Sequence, residues 1–207
     1  MFDFETLPER RGTASLKWDF GGRIAGREGL LPLWVADMDF AAPAFIAEAV
    51  ARRAAHGVFG YTLEPDSWFE AAMGWLSSRH GWNVRREWLV AAPGVVQTVS
   101  AALLAASAPG DRIVIQPPVY HPFALRIRAN GREVAENPLV LDDGRYRMDF
   151  EGQERELAAG ARMLVLCSPH NPGGRAWTGD ELRRAVGLCA RSGAVILSDE
   201  IHADLVL

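Results

Sequence analysis

The sequence predicts an α/β fold, a mostly parallel sheet with helices on both faces. Three observations predict it. From Trp88 onward, short apolar runs alternate with stretches of helical periodicity, the signature of strands joined by helices. Two of the runs, 163–166 and 194–198, read as buried strands. Each leads into a polar cluster, Cys167-Ser168-Pro169-His170-Asn171-Pro172-Gly173-Gly174 in one case and Ser198-Asp199-Glu200-Ile201-His202 in the other. Those clusters fall at the carboxyl ends of strands, where open α/β sheets bind ligands.

The elements follow in order. Residues 1–42 read as irregular, with one compact apolar patch at Leu30–Val35. Pro43 suits the first position of a helix, where its missing N–H does no harm; that helix runs to about His56 and stops at Gly57. Asp66 is expected to cap a second helix with Trp68, Phe69, Met73 and Trp75 on its apolar face. Trp88–Ala91 reads as a strand, Val95–Ala106 as a helix, Arg112–Gln116 as a strand, Tyr120–Ala129 as a helix and Glu133–Glu136 as a short strand. Leu139–Met148 is expected to form a hairpin or loop turning at Asp143-Gly144. Phe150–Ala159 is a predicted helix and Met163–Cys167 a strand. Thr178, with Glu181 three residues on, makes a capping box for a helix to about Arg191. Ala194–Ser198 is a strand, and Ala203–Leu207 is expected to begin another.

Composition narrows the function. A chain of 207 residues, 49% hydrophobic and 23% charged, buries a real core. A net charge of −4 offers no basic footprint for nucleic acid. No apolar stretch is long enough to span a bilayer, and residues 1–15 carry no apolar core of a secretory signal. Cys167 and Cys189 do not make a disulfide framework and read as buried free thiols of a cytoplasmic protein. With His121, His170 and His202 they match no zinc spacing, so no metal is expected. The 22 Lys+Arg residues include a single lysine, Lys17.

The chemistry is carried by the segments around Gly94, Tyr120, Asn171 and Asp199. Gly94, Val95 and Val96 open a helix after a strand, and free amides at a helix start, with the helix dipole, suit a phosphate. The stretch is neither GxGxxG nor a P-loop, which argues against dinucleotides and nucleoside triphosphates. Tyr120 follows two prolines that stiffen its turn; an aromatic there can stack on a flat heterocycle, or simply fill a helix start. Asn171 presents an amide from a Pro-rich turn. Asp199 ends an apolar run, where a carboxylate is costly unless it meets a cation or donors. A protonated pyridine nitrogen is such a partner. Amide and acid on neighbouring strand ends could grip opposite sides of a flat polar ring, which is what pyridoxal 5'-phosphate needs. His202 could face the same side and reach the ring hydroxyl or Asp199.

Gly94, Tyr120, Asn171 and Asp199 stand in the order of the fold-type I pyridoxal-phosphate enzymes, the class I/II aminotransferase superfamily, and the chain resembles that superfamily. Within it, Leu33–Phe40, His56–Tyr61, Pro118–Phe123, Cys167–Gly174 and Asp199–Leu205 look like the MalY/PatB-type C–S β-lyases, along nearly the whole chain. The resemblance implies a large domain of the pyridoxal-phosphate transferase fold over 43–207, incomplete, preceded by a small-domain segment over 1–42. It implies that Gly94, Val95 and Val96 hold the phosphate, Tyr120 stacks on the ring, Asn171 bonds the ring hydroxyl and Asp199 pairs with the ring nitrogen. Tyr61 would reach the phosphate of the neighbouring subunit in a homodimer. Ala36 would line the carboxylate site of an amino-acid substrate. His202 stands where many aminotransferases have a tyrosine, which favours the lyase branch.

One feature of the family is missing. Its Schiff-base lysine lies a few dozen residues beyond the aspartate, so this chain is expected to be the N-terminal part of a longer enzyme and to hold no catalytic lysine. Lys17, far from the Asp199 strand, is not expected to replace it. The expected activity of the parent is β-elimination from cystathionine or a cysteine conjugate. The alternatives are an aminotransferase on the same scaffold and a non-enzymatic binding protein.

Overall fold

The structure, a computed structural model, describes residues 3–27 and 29–206. The chain divides into two compact units with the boundary between Leu63 and Glu64. The sequence division at 42/43 falls earlier, so the first long helix groups with the N-terminal segment.

The first unit holds α1 (Leu16–Asp19), α2 (Gly21–Ala25) and α3 (Ala44–Ala55). The stretch read as irregular thus contains two short helices. Ser15 caps α1 by accepting from the Trp18 amide at 3.3 Å, a local bond that composition did not reveal. Pro43 sits at the N-cap of α3, one residue before the expected first turn.

An ion cluster ties this unit together. Arg10 grips both oxygens of Asp37 at 2.9 and 2.6 Å and reaches Asp39 at 2.8 Å. Lys17 Nζ pairs with Asp39 at 2.7 Å and donates to the Asp37 carbonyl at 2.8 Å. The indole N–H of Trp18 donates to Asp39 at 2.7 Å. Lys17, then Trp18, hold the Asp39 carboxyl down to about 2 from 3.8. A depressed carboxyl stabilises the fold fully above its unfolded value. The Asp39 contribution is therefore expected to be intact above pH 3.8 and to vanish as pH falls from there through about 2. The Trp18 indole N–H resonance, followed through an acid titration, checks this; a resonance that does not move across that window refutes it.

The second unit contains α4 (Asp66–His80), α5 (Val95–Ala106), β1 (Arg112–Ile115), α6 (Pro122–Ala129), β2 (Glu133–Glu136), β3 (Val140–Asp142), β4 (Arg145–Arg147), α7 (Phe150–Ala158), β5 (Met163–Cys167), α8 (Gly179–Ser192) and β6 (Val195–Asp199). Strands β2-β1-β5-β6 form one sheet in that order, and every pairing is parallel. Alternation sorts the side chains of this sheet onto two faces. Ile113, Ile115, Met163 and Val165 pack with Val99 and Leu103 of α5 and Phe123 and Ile127 of α6. Val114, Leu164 and Leu166 pack with Leu157 of α7 and Ala185, Leu188 and Cys189 of α8. Helices therefore cover both faces, as the strand–helix alternation predicts. Strands β3 and β4 form the expected hairpin, with Asp143 and Gly144 at φ of 47° and 72° in the left-handed region.

Three expectations fail in this unit. Trp88–Ala91 is not a strand: Arg86–Trp88 forms a 3-10 turn and the chain then runs on without a ladder partner, Val90 being 86% exposed. An apolar run becomes a strand only where another strand satisfies its backbone. The residues after Ala203 form a 3-10 turn, Ala203–Leu205, rather than a strand; Leu207 lies outside the described residues. Asp66 is the first helical residue, and Pro65 holds the N-cap.

The capping box of α8 is present as predicted. Thr178 Oγ1 accepts from the Glu181 amide at 3.3 Å, and the Glu181 carboxylate accepts from the Thr178 amide at 2.9 Å. Thr178→Ala is expected to cost about 1 kcal/mol in urea unfolding with an unchanged m-value. A loss near zero would mean that Glu181 alone sustains the helix start.

Candidate active site

Each polar cluster sits where the parallel sheet ends. Helices of such a sheet run against the strands, so the strand carboxyl ends and the start of α5 share one side. Side by side, β1 leads into Tyr120, β5 into Asn171, and β6 ends on Asp199. Neighbouring strands are about 4.8 Å apart, so three of them span roughly 10 Å, the size of a substituted aromatic ring.

Asp199 is 8% exposed. One of its oxygens accepts the Ile201 amide at 3.1 Å, and no cation pairs with it among the described residues. It lines a cavity of about 270 Å³ with Val95, Thr98, Val99, Ser198 and Ile201. The start of α5 and the end of β6 thus face one space. Gly94, at φ 163°, is extended backbone, and a Cβ there would meet only the movable end of Gln97. The amides of Gly94, Val95 and Val96 have no intramolecular acceptor among the described residues, as expected of a helix start.

Asn171 lines a second cavity of about 510 Å³ with Arg175, His202 and Leu205. Its side-chain amide has no partner among the described residues, while its backbone amide donates to Cys167 Sγ at 3.4 Å. The turn that carries it is stapled from several sides. His170 and Arg175 bridge across it, His170 Nε2 bonds the Pro118 carbonyl at 2.8 Å, and Trp177 Nε1 donates to the Cys167 carbonyl at 2.9 Å. Arg175 reaches both Glu181 oxygens at 2.6 Å and donates to the Tyr146 carbonyl. Burial pushes the Glu181 carboxyl up, but the bonds from Arg175 and Thr178 outweigh it and hold it below its usual range. A Cβ at Gly173 would lie 3.0 Å from the His170 ring and 3.2 Å from the Tyr146 ring, so a larger residue there would press on both rings. Sequence reading missed Arg175 altogether; the signal was its place six residues before the capping-box glutamate.

Tyr120 lines a third cavity, of about 350 Å³, with Pro117, Pro118 and His121. Its ring meets Phe123 edge-on at 5.6 Å and the His121 ring, tilted, at 5.7 Å. His202 shares the Asn171 cavity and makes no bond to Asp199, whose near partner is the Ile201 amide. Cys167 lies opposite Asp199 in the β5–β6 register; burial pushes its thiol up, and the Asp199 charge adds to that. The two remaining expected residues lie in the first unit. Ala36 is exposed, and Tyr61 is fully exposed. The lone lysine is there too, bound to Asp39 and Asp37.

The pattern of the class I and II aminotransferases matches residues 29–207, most of the chain. The chain belongs to that family. Among relatives, the cystathionine beta-lyase PatB of Bacillus subtilis (strain 168) is 46% identical over 99% of this chain and 53% of its own length. Protein MalY of Escherichia coli (strain K12) is 38% identical over 100% of this chain and 53% of its own. The crystal structure of cystalysin from Treponema denticola, which contains a pyridoxal 5'-phosphate cofactor, superposes with a TM-score of 0.91 at 35% identity, covering 99% of this chain and 52% of that one. The chain spans about half the length of these relatives. Among the described residues, no helix is long and apolar enough to cross a membrane.

Proposed function

We propose that the protein to which this chain belongs is a cytoplasmic, pyridoxal 5'-phosphate-dependent C–S β-lyase. It would eliminate a thiol from cystathionine or a related cysteine conjugate, leaving pyruvate and ammonia. The observation that carries the reading is Asp199, a buried carboxylate with no cationic partner among the described residues, lining one cavity with Val95 at the start of α5. A cationic ring nitrogen and a phosphate are the two charges such a space lacks, so the residues fit the cofactor. The name of PatB, a cystathionine beta-lyase, and the cofactor in the cystalysin structure support the same reading.

When bound, the cofactor supplies an electron sink for the charge that develops at the substrate Cα. The chain's part is to hold it. Asp199 keeps the ring nitrogen protonated. Gly94, Val95 and Val96 donate to the phosphate from the start of α5. Asn171 would donate its side-chain amide to the ring oxygen, with His202 in the same cavity, and Tyr120 would stack on the ring. Ala36 would line the site of the substrate carboxylate. A second copy of the protein is the expected partner. Tyr61 is at 111% relative exposure and α3 buries no residue, leaving Phe45 and Val50 exposed at 62% and 66%.

The test is the full-length protein incubated with cystathionine, with pyruvate and free thiol assayed. No thiol from several cysteine conjugates sinks the reading. The family match keeps an aminotransferase as the second reading. Amino transfer to a 2-oxo acid without thiol release decides for it.

A further inference from the structure

The turn after β6 is held by little packing. Ile201, Leu205 and Val206 are all exposed. Its own hydrogen bonds are local. Ala203 N–H donates to the Glu200 carbonyl at 2.9 Å, Leu205 N–H to the His202 carbonyl at 3.0 Å, and Ile201 N–H to Asp199 at 3.1 Å. Local bonds set the shape of a turn; they do not fix where it sits on the molecule. Its place matters, because His202, Leu205 and Val206 line the cavity that Asn171 also lines.

Asp204 supplies the anchor. Trp75 Nε1 donates to Asp204 Oδ2 at 2.9 Å, and His80 Nε2 donates to Asp204 Oδ1 at 2.7 Å. Both donors belong to the second half of α4, 129 and 124 residues earlier in the chain and in the same compact unit. Among the described residues, these are the only hydrogen bonds that tie 200–206 to a distant part of the chain. Arg79 lies over the Trp75 ring at 5.4 Å. The Trp75 bond, then the bond and charge of His80 and the charge of Arg79, outweigh burial and hold the Asp204 carboxyl below its usual range. An exposed ion pair alone contributes little. Here one carboxylate uses both oxygens on two side chains of a single helix, which fixes direction as well as distance.

We propose that Asp204 is a positioning residue: clasped by Trp75 and His80, it pins the turn after β6 to α4 and so sets the wall that His202 and Leu205 give to the Asn171 cavity. The inference rests on the pyridoxal-phosphate reading for its effect on catalysis; the clasp itself stands on the geometry of this chain. The same turn carries the Ile201 N–H that bonds Asp199, so the clasp also steadies the one donor that this carboxylate has among the described residues. A displacement of about 1 Å in groups around a reacting centre changes catalysis markedly.

Hydrogen exchange reads the clasp in the 207-residue chain without cofactor. Asp204→Ala is expected to speed exchange of the Ile201 amide about tenfold while the Val165 and Leu166 amides of β5 keep their rates. Trp75→Phe, which removes a donor from the opposite side, is expected to give the same pattern with a smaller rise. Unchanged Ile201 exchange in both variants, or a rise shared equally by β5 in both, overturns the clasp. In the full-length enzyme, Asp204→Ala is expected to shift the visible absorbance band of bound pyridoxal 5'-phosphate and to lower kcat about tenfold with KM within about twofold. Asp204→Asn, which keeps an acceptor, is expected to recover part of that loss. An unchanged band with unchanged kcat overturns the positioning role. Should the full-length protein bind no pyridoxal 5'-phosphate, the cofactor reading fails, and the exchange rates still decide the clasp.

Discussion

Incubated with pyridoxal 5'-phosphate and cystathionine, the 207-residue chain is expected to release no thiol and no pyruvate. The chemistry depends on a lysine that binds the cofactor covalently and moves the Cα proton. The only lysine in these 207 residues is Lys17. Its Nζ lies 2.7 Å from Asp39 and 2.8 Å from the Asp37 carbonyl, with the side chain 11% exposed. To serve the cofactor it must leave both partners and strand Asp39, whose carboxyl is held down to about 2 chiefly by that lysine. A positioned acid–base group is worth roughly 10²–10⁴-fold in rate, and covalent attachment is lost as well. The phosphate-binding amides and Asp199 remain, so weak non-covalent cofactor binding is compatible with the prediction. A borohydride-stable adduct at Lys17 together with measurable turnover refutes it.

The strands and helices of the second unit were legible because local and global signals agree there. The 163–167 run is apolar throughout, β5 is buried throughout, and Thr178 with Glu181 announces a helix start that the structure contains. Trp88–Ala91 misled because it carries the composition of a strand and lacks a partner, and pairing cannot be read from one segment. The site was legible as three loop clusters at strand ends, since the topology alone brings them to one side. The sequence did not show that Asp199 and the start of α5 share one cavity while Asn171 and Tyr120 face others. Such partition depends on side-chain direction at the end of each strand. The Arg10–Lys17–Asp37–Asp39 cluster was invisible for a related reason. Its members are up to 29 residues apart and join only through folded geometry.

Asp199→Asn is expected to separate function from stability in opposite directions. Asparagine keeps the shape of the side chain and an oxygen to accept the Ile201 amide, which bonds the Asp199 carboxylate at 3.1 Å. It removes a charge that is 8% exposed and has no cationic partner among the described residues. Burying an uncompensated charge is unfavourable, so the substituted chain is expected to be at least as stable as the original in the absence of cofactor. Catalysis responds the other way. Without the carboxylate nothing keeps the ring nitrogen protonated, and the cofactor accepts electrons less readily. Preorganised electrostatic groups at the reacting centre are typically worth about 10²–10³ in kcat, and a fall of that order is expected in the full-length enzyme. The pair of measurements separates the alternatives. Lost stability with retained turnover would make Asp199 a structural acid of the β6 end. Retained stability with lost turnover is the result that a residue maintained for its charge must give, because the fold by itself would do better with a neutral side chain.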